Sequence, residues 1–181
     1  LGYTFSQPTI TKVKTSATAY KWVAIFGNGY NSTNESAALY VVDMENGSLV
    51  RKIVVDTGGG TSSNGLSTPA VYDNNGDYIA DYVYAVDLKG NLWKFDLTTG
   101  DAATWSSSYG TAGAPQPLFR AVDATGVAQP ITERPAVGKP GVLGGAALTP
   151  TLASGTMVYF GTGRYVSNAD KIPPANPDHT F

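Results

Sequence analysis

A threefold internal repeat restricts what this chain can fold into more than any other feature. The segments "SQPTI" (6–10), "STPAV" (67–71) and "ERPAV" (133–137) each set a proline two residues ahead of a β-branched residue, at Pro8, Pro69 and Pro135. A second β-rich run ending in glycines follows each one: "WVAIFGNGY" (22–30), "YVYAVDLKG" (82–90) and "MVYFGTGRY" (157–165). The first two repeats also contain a strand-turn-strand passage, "LYVVDMENGSLVRKI" (39–53) and "VYAVDLKGNLWKFDL" (83–97). Asn46-Gly47 and Lys89-Gly90-Asn91 supply turn residues that tolerate the positive φ of a tight hairpin. Proline has no N–H to give a ladder, so it belongs at the first position of a strand.

No segment sustains an apolar period of 3.6, and Val, Ile, Tyr, Phe and Thr collect between clusters of Gly, Asn, Asp and Pro. The reading is all-β: a partial β-propeller of four-stranded antiparallel blades with long inserted loops. Its units cover approximately 1–57, 64–122 and 130–181, the last stopping before its hairpin. These repeats are longer than the roughly 40–50 residues usual for a blade, which leaves room for insertions. Three units fall short of the four or so blades that close a ring, so a single propeller segment from a larger propeller is expected. Cut edges would otherwise expose unpaired strand groups.

Composition removes several function classes. Charged residues are 14%, the net charge is −2 and the isoelectric point is near 5.2, so there is no basic stripe to neutralise phosphates, and nucleic acid is set aside. Without cysteine there is no disulfide framework or thiolate site, and zinc would depend on His179, the single histidine. No run reaches the ~18 apolar residues of a membrane span, and "LGYTFSQPTI" lacks the basic and apolar regions of a signal peptide. A surface that draws its polarity from Ser, Thr, Asn and Gly suits an extracellular β protein better than a cytosolic helical one, and without a signal peptide the chain reads as either cytosolic or an internal piece of a secreted protein.

One loop concentrates oxygen in a chain poor in charge. In "DNNGDYIAD", Asp73, Asn75, Asp77 and Asp81 stand at positions 1, 3, 5 and 9, and the Ile79 carbonyl at position 7. That spacing lets oxygens wrap a hard cation such as Ca2+ at about 2.3–2.6 Å. Three carboxylates within a few Å repel one another, and a divalent ion would turn that repulsion into a clamp. A helical EF-hand is excluded, because Tyr78 replaces the glycine of position 6 and Tyr84 the glutamate of position 12. The shorter nine-residue loop remains, with Gly76 at position 4. The competing reading is a plain turn, in which Asp and Asn gather for their backbone-bonding habit.

Other tempting residues read as structure. Asp43 and Asp87 end strands at equivalent repeat positions and are expected to cap turns by accepting backbone N–H groups. "FGNGYN" and "FGTGRY" match no phosphate-loop pattern and precede no helix, so they read as turns. Trp22, Trp93 and Trp105 are expected in the blade core. Asn31, Asn34 and Asn46 fit a glycosylation pattern of little weight. No catalytic set emerges, since one histidine in a Pro-rich tail gives an acyl-transfer triad no base.

The order "FGNGYNS", "LYVVDMENGSLVRKI", "STPAVYDNNGDYIADYVYAVDLKGNLWKFDL" and "GTMVYFGTGRY" resembles the C-terminal propeller of the PilC/PilY family, large surface proteins of type IV pili that act as tip adhesins and biogenesis factors. The likeness covers nearly the whole chain and is weakest over 101–130. It implies calcium on Asp73, Asn75, Asp77, the Ile79 carbonyl and Asp81, with the ion regulating pilus extension against retraction. Family members often carry glycine where this chain has Tyr78. The resemblance also implies no enzymatic activity, docking to minor pilins or a pilus tip complex, and a place on the cell surface or outside it, at an outer-membrane-associated pilus tip reached through the periplasm. Contact with a host surface would fall to regions absent here. Two rivals share parts of the pattern. A quinoprotein-like dehydrogenase propeller carries similar hairpins but needs a quinone and a larger ring, and an integrin-type propeller would repeat the calcium loop in several blades.

Overall fold

A computed structural model describes residues 1–56, 63–140, 155–165 and 168–171. Its first sheet is an antiparallel meander of β1 (Thr9–Lys14), β2 (Tyr20–Gly27), β3 (Ala37–Asp43) and β4 (Leu49–Asp56), in that spatial order. The second is built on β5 (Ala70–Tyr72), β6 (Tyr82–Val86) and β7 (Asn91–Asp96). Both β8 (Ser106–Ser107) and β11 (Phe119–Arg120) pair with β7, so this outer edge is shared by two short strands. Between them β9 (Gly110–Thr111) and β10 (Ala114–Pro115) form a small hairpin within the inserted loop. The third unit contributes β12 (Ala136–Gly138) paired with β13 (Met157–Tyr159). No α-helix occurs among the described residues; two 3-10 turns, Ala102–Thr104 and Asn168–Lys171, are the only helical pieces there.

Each repeat proline does what its chemistry dictates. Pro8, Pro69 and Pro135 immediately precede β1, β5 and β12, where a missing N–H costs the ladder nothing.

Side-chain alternation assigns the faces. In β2, the pattern is open on one face and buried on the other, with Val23 and Ile25 inward and Trp22 outward. In β6, both faces are buried, because the second sheet lies between its neighbours. Val83, Ala85, Trp93 and Phe95 meet Val13, Val23, Ile25, Leu39 and Val41 of the first sheet. Tyr84, Val86 and Leu92 turn the other way, toward Ile131 with Val137 and Val158 of the third unit. Blade stacking, face on face, therefore explains why "VYAV" is apolar without interruption.

The tryptophans divide. Trp93 and Trp105 are buried as expected, but Trp22 is 60% exposed. Its position in β2 falls on the even-numbered, outward face with Ile10, which is likewise 60% exposed.

Glycines in "FGNGY" serve close packing. A Cβ on Gly27 would overlap the carbonyl oxygens of Leu66 and Ser67, so the end of β2 can lie against the segment entering the second blade. Between these glycines sits buried Asn28, whose Oδ1 accepts from Ala38 N–H and Leu66 N–H, each at 3.0 Å, while its Nδ2 donates to Ser36 O at 2.7 Å. The motif is a turn that ties two blades together.

Candidate functional site

Strands β5 and β6 are joined by the loop 73–81, and the local sequence determines its path. Asp73 opens it as an Asx turn: its Oδ1 accepts from Asn75 N–H at 3.2 Å and Gly76 N–H at 2.7 Å, and its Oδ2 from Tyr78 N–H at 2.7 Å. Asn75 Oδ1 accepts from Asp77 N–H and Asp77 Oδ1 from Ile79 N–H, both at 2.9 Å. Asn75 Nδ2 donates to Asp77 Oδ2 at 3.1 Å. Asp81 Oδ2 closes the circuit by accepting from Asn74 N–H at 2.9 Å.

The backbone turns left-handed twice, at Gly76 (φ 82°) and at Tyr78 (φ 65°). Position 6 of a calcium loop asks for a sharp turn, usually met by glycine. Here a tyrosine adopts that conformation, with its side chain 88% exposed. A β-carbon in this region costs about 1–2 kcal/mol, and the Asp73 bond to Tyr78 N–H helps hold it there.

Burial works against the Asp73 charge, but the N–H groups of Gly76, Tyr78, Asp77 and Asn75 outweigh it and hold the carboxyl below its ordinary value. The carboxylates are strung along the loop's own amides. Among the described residues no three acidic or histidine side chains converge as a metal-holding group. The donor set nonetheless suits a hard cation, being all oxygen, and an ionised carboxylate has about four lone-pair sites, so accepting N–H bonds leaves capacity on each. His179 lies outside the described residues.

The loop's exit is anchored to two elements. Ala80 N–H donates to Lys12 O on β1 at 2.9 Å, within a parallel bridge between Lys12 and Ile79, and so joins the loop to the first blade. Leu97 N–H donates to Asp81 O at 2.9 Å, at the end of β7. Position 7 of the loop therefore sits on a seam between blades, which sequence reading missed because the bridge is nonlocal.

The two turn-capping aspartates behave as expected. Asp43 Oδ1 accepts from Glu45 N–H at 2.9 Å, and its other oxygen pairs with Lys21. Lys21 first, then the Glu45 amide, holds the Asp43 carboxyl below its ordinary value. Asp87, fully buried, accepts from Lys89 N–H (3.0 Å) and Asn91 N–H (2.9 Å) on one oxygen. Its second oxygen takes Trp93 Nε1 (2.8 Å), Asn91 Nδ2 (2.9 Å) and Asn64 Nδ2 (3.1 Å). Asn64, itself buried, carries the network on to Asp56, which pairs with Lys89 at 2.7 Å. Nothing in the sequence marked Asn64, since its partners come from distant segments.

Comparison with known proteins is extensive. The family model described as the PilY1 beta-propeller domain matches residues 1–178. The chain is 42% identical over 182 residues to the type IV pilus biogenesis factor PilY1 of Pseudomonas aeruginosa strain PAO1, covering 94% of this chain and 14% of that protein. It is 40% identical over 179 residues to a PilY1 homolog of Xylella fastidiosa, of which it covers 11%. The crystal structure of the C-terminal domain of Pseudomonas aeruginosa PilY1 superimposes with a TM-score of 0.78 at 40% identity, over 96% of this chain and 35% of that one. The chain thus spans a small part of the relatives it matches.

Proposed function

We infer the function from one premise: the chain belongs to the PilY1 β-propeller domain family. Its relatives are named as type IV pilus biogenesis factors and not as enzymes. Family membership supports the pilus reading over the quinoprotein and integrin-type readings of the same hairpins. Within that family, this chain serves as a calcium-binding part of a propeller on a pilus-associated surface protein. It supports pilus extension against retraction and docks to minor pilins at the tip; attachment to a host surface belongs to other regions. No helix among the described residues is long and apolar enough to cross a membrane.

The calcium reading rests on the left-handed Tyr78 in a loop whose oxygens fall at positions 1, 3, 5, 7 and 9. The left-handed conformation at position 6 is the one that the glycine of a calcium loop ordinarily supplies. Asp73, Asn75, Asp77, the Ile79 carbonyl and Asp81 would hold the ion, which would supply charge neutralisation and rigidity. The chain's own contribution is transmission. Because Ala80 is hydrogen-bonded to Lys12 and Asp81 to Leu97, ordering of the loop stiffens the seam between two blades, and with it any surface that a pilin contacts.

Calorimetric titration with calcium, against a magnesium control, tests this. One calcium per chain, abolished in Asp81→Ala and poorly replaced by magnesium, is expected. Absence of calcium binding by the unaltered chain would return the loop to a plain turn.

A further inference from the structure

The leading segments of the three units converge on a cleft of 520 Å³ that contains no residue of the 73–81 loop. Gln7, Thr68 and Arg134, the residues just ahead of the three repeat prolines, all line it. It thus lies where equivalent positions of the three units face one another, and Gln7 N–H donates to Thr68 Oγ1 across it at 3.1 Å.

Two kinds of side chain line this cleft. Phe5 and Tyr165 present aromatic rings that are 75% and 71% exposed. Gln7, Glu133 and Arg134, whose side chains end in planar polar groups, line it as well. Tyr30 also lines the cleft and is 7% exposed. Burial, with the nearby Glu133 and Asp87 charges, pushes its phenol up to about 12, so it remains a neutral donor. Its hydroxyl is not one of the buried polar atoms left without a partner.

We propose that this cleft binds a neutral saccharide of one or two pyranose rings. Its volume lies within the ~300–1,000 Å³ of small-molecule sites. Rings of the ligand present C–H faces to Phe5 and Tyr165, and vicinal hydroxyls match the paired donors and acceptors of Gln7, Glu133 and Arg134. Tyr30 adds a neutral phenol donor to the same lining. Other ligand classes fit less well. Among the described lining residues, a polyanion would meet Glu133 beside one cation, a hard metal would find one carboxylate, and a lipid would find polar groups interrupting its apolar contacts. An extended peptide would seek a long free strand edge, and the strands entered from this cleft other than β1 are three residues long. The proposal goes beyond the pilus reading and does not depend on calcium.

Amide chemical-shift mapping on the 181-residue chain with maltose, lactose and N,N′-diacetylchitobiose tests it. At least one sugar is expected to shift residues 5–7, 30, 68 and 132–134 in a saturable way. Tyr30→Phe, which keeps the ring, and Glu133→Gln should each weaken that titration about tenfold while leaving the melting temperature within a few degrees, as for a lost hydrogen bond to ligand. No saturable shift up to tens of millimolar, shifts confined to other surfaces, or an uncharged peptide binding these residues more tightly than every sugar would overturn it.

Discussion

Three single residues hold conformations or charges that ordinary chemistry resists, and each gives a measurable consequence. Tyr78 sits at φ 65° with an 88% exposed side chain, so Tyr78→Gly removes strain while sacrificing little packing. The relief of about 1–2 kcal/mol is partly offset by the greater freedom of glycine in the unfolded chain, about 0.4–1 kcal/mol. A rise of roughly 1–3 °C in the calorimetric melting temperature is expected. Asp73 is held below its ordinary value, so its contribution to the loop is complete above the unfolded carboxyl pKa near 4 and is lost as pH falls through the lower, folded value. Following the Asp73 carboxyl carbon by NMR should give a midpoint below that of an exposed aspartate, with the Gly76 and Tyr78 amide signals moving in step. Asp87 is the most heavily bonded side chain described, with five donors on a buried carboxylate. Asp87→Ala would strand the Trp93 indole and the Asn91 amide and leave Asn64 Nδ2 with Asp56 alone, and should cost at least about 3 kcal/mol in denaturant unfolding.

At the scale of the element, the blades are joined by backbone approaches that leave no room for a side chain. The end of β2 shows this most clearly, because the space beside Gly27 is filled by the carbonyls of Leu66 and Ser67. Gly47, in the β3–β4 turn, has φ 73° but nothing within 4 Å of an added Cβ. Gly47→Ala should therefore cost only the conformational strain, about 1–2 kcal/mol. Gly27→Ala must push two segments apart and should cost more, roughly 3 kcal/mol, with amide exchange quickening on both β2 and residues 65–68. These two glycines also mark the limit of what sequence can tell. The turn at Asn46-Gly47 was readable, because a hairpin's need for positive φ is local. The crowding at Gly27 was not, since Leu66 and Ser67 reach it from another repeat. The same division runs through the candidate site. The candidate donors Asp73, Asn75, Asp77 and Asp81 were picked out by spacing within nine residues, whereas the tie from Ala80 to Lys12, the Asn64 bridge and the cleft around Tyr30 join residues far apart in the chain. Trp22 was misplaced for a related reason: alternation located it on a strand face, but which face was covered depends on neighbouring blades.

For the whole molecule, the main question is whether the blades melt together. A single hydrophobic cluster runs from Val13, Val23 and Val41 of the first sheet to Val83, Phe95 and Trp105 of the second, so neither sheet has a core of its own on that side. Trp105 is the largest fully buried side chain, and its carbonyl accepts from Arg51 Nε at 3.3 Å and Nη2 at 3.2 Å, joining β4 to the segment before β8. Opening either sheet exposes half of a shared interface and leaves the other half without a partner, which favours an all-or-none transition. Indole fluorescence, dominated by buried Trp93 and Trp105, should therefore change at the same denaturant concentration as the β-sheet circular dichroism. Trp105→Ala should lower stability by about 3–5 kcal/mol and shift both transitions equally, because the cavity it leaves belongs to both blades. Separation of the two probes in that variant would mean that each sheet keeps an independent core, and the 73–81 loop seated on their seam would then have little to transmit.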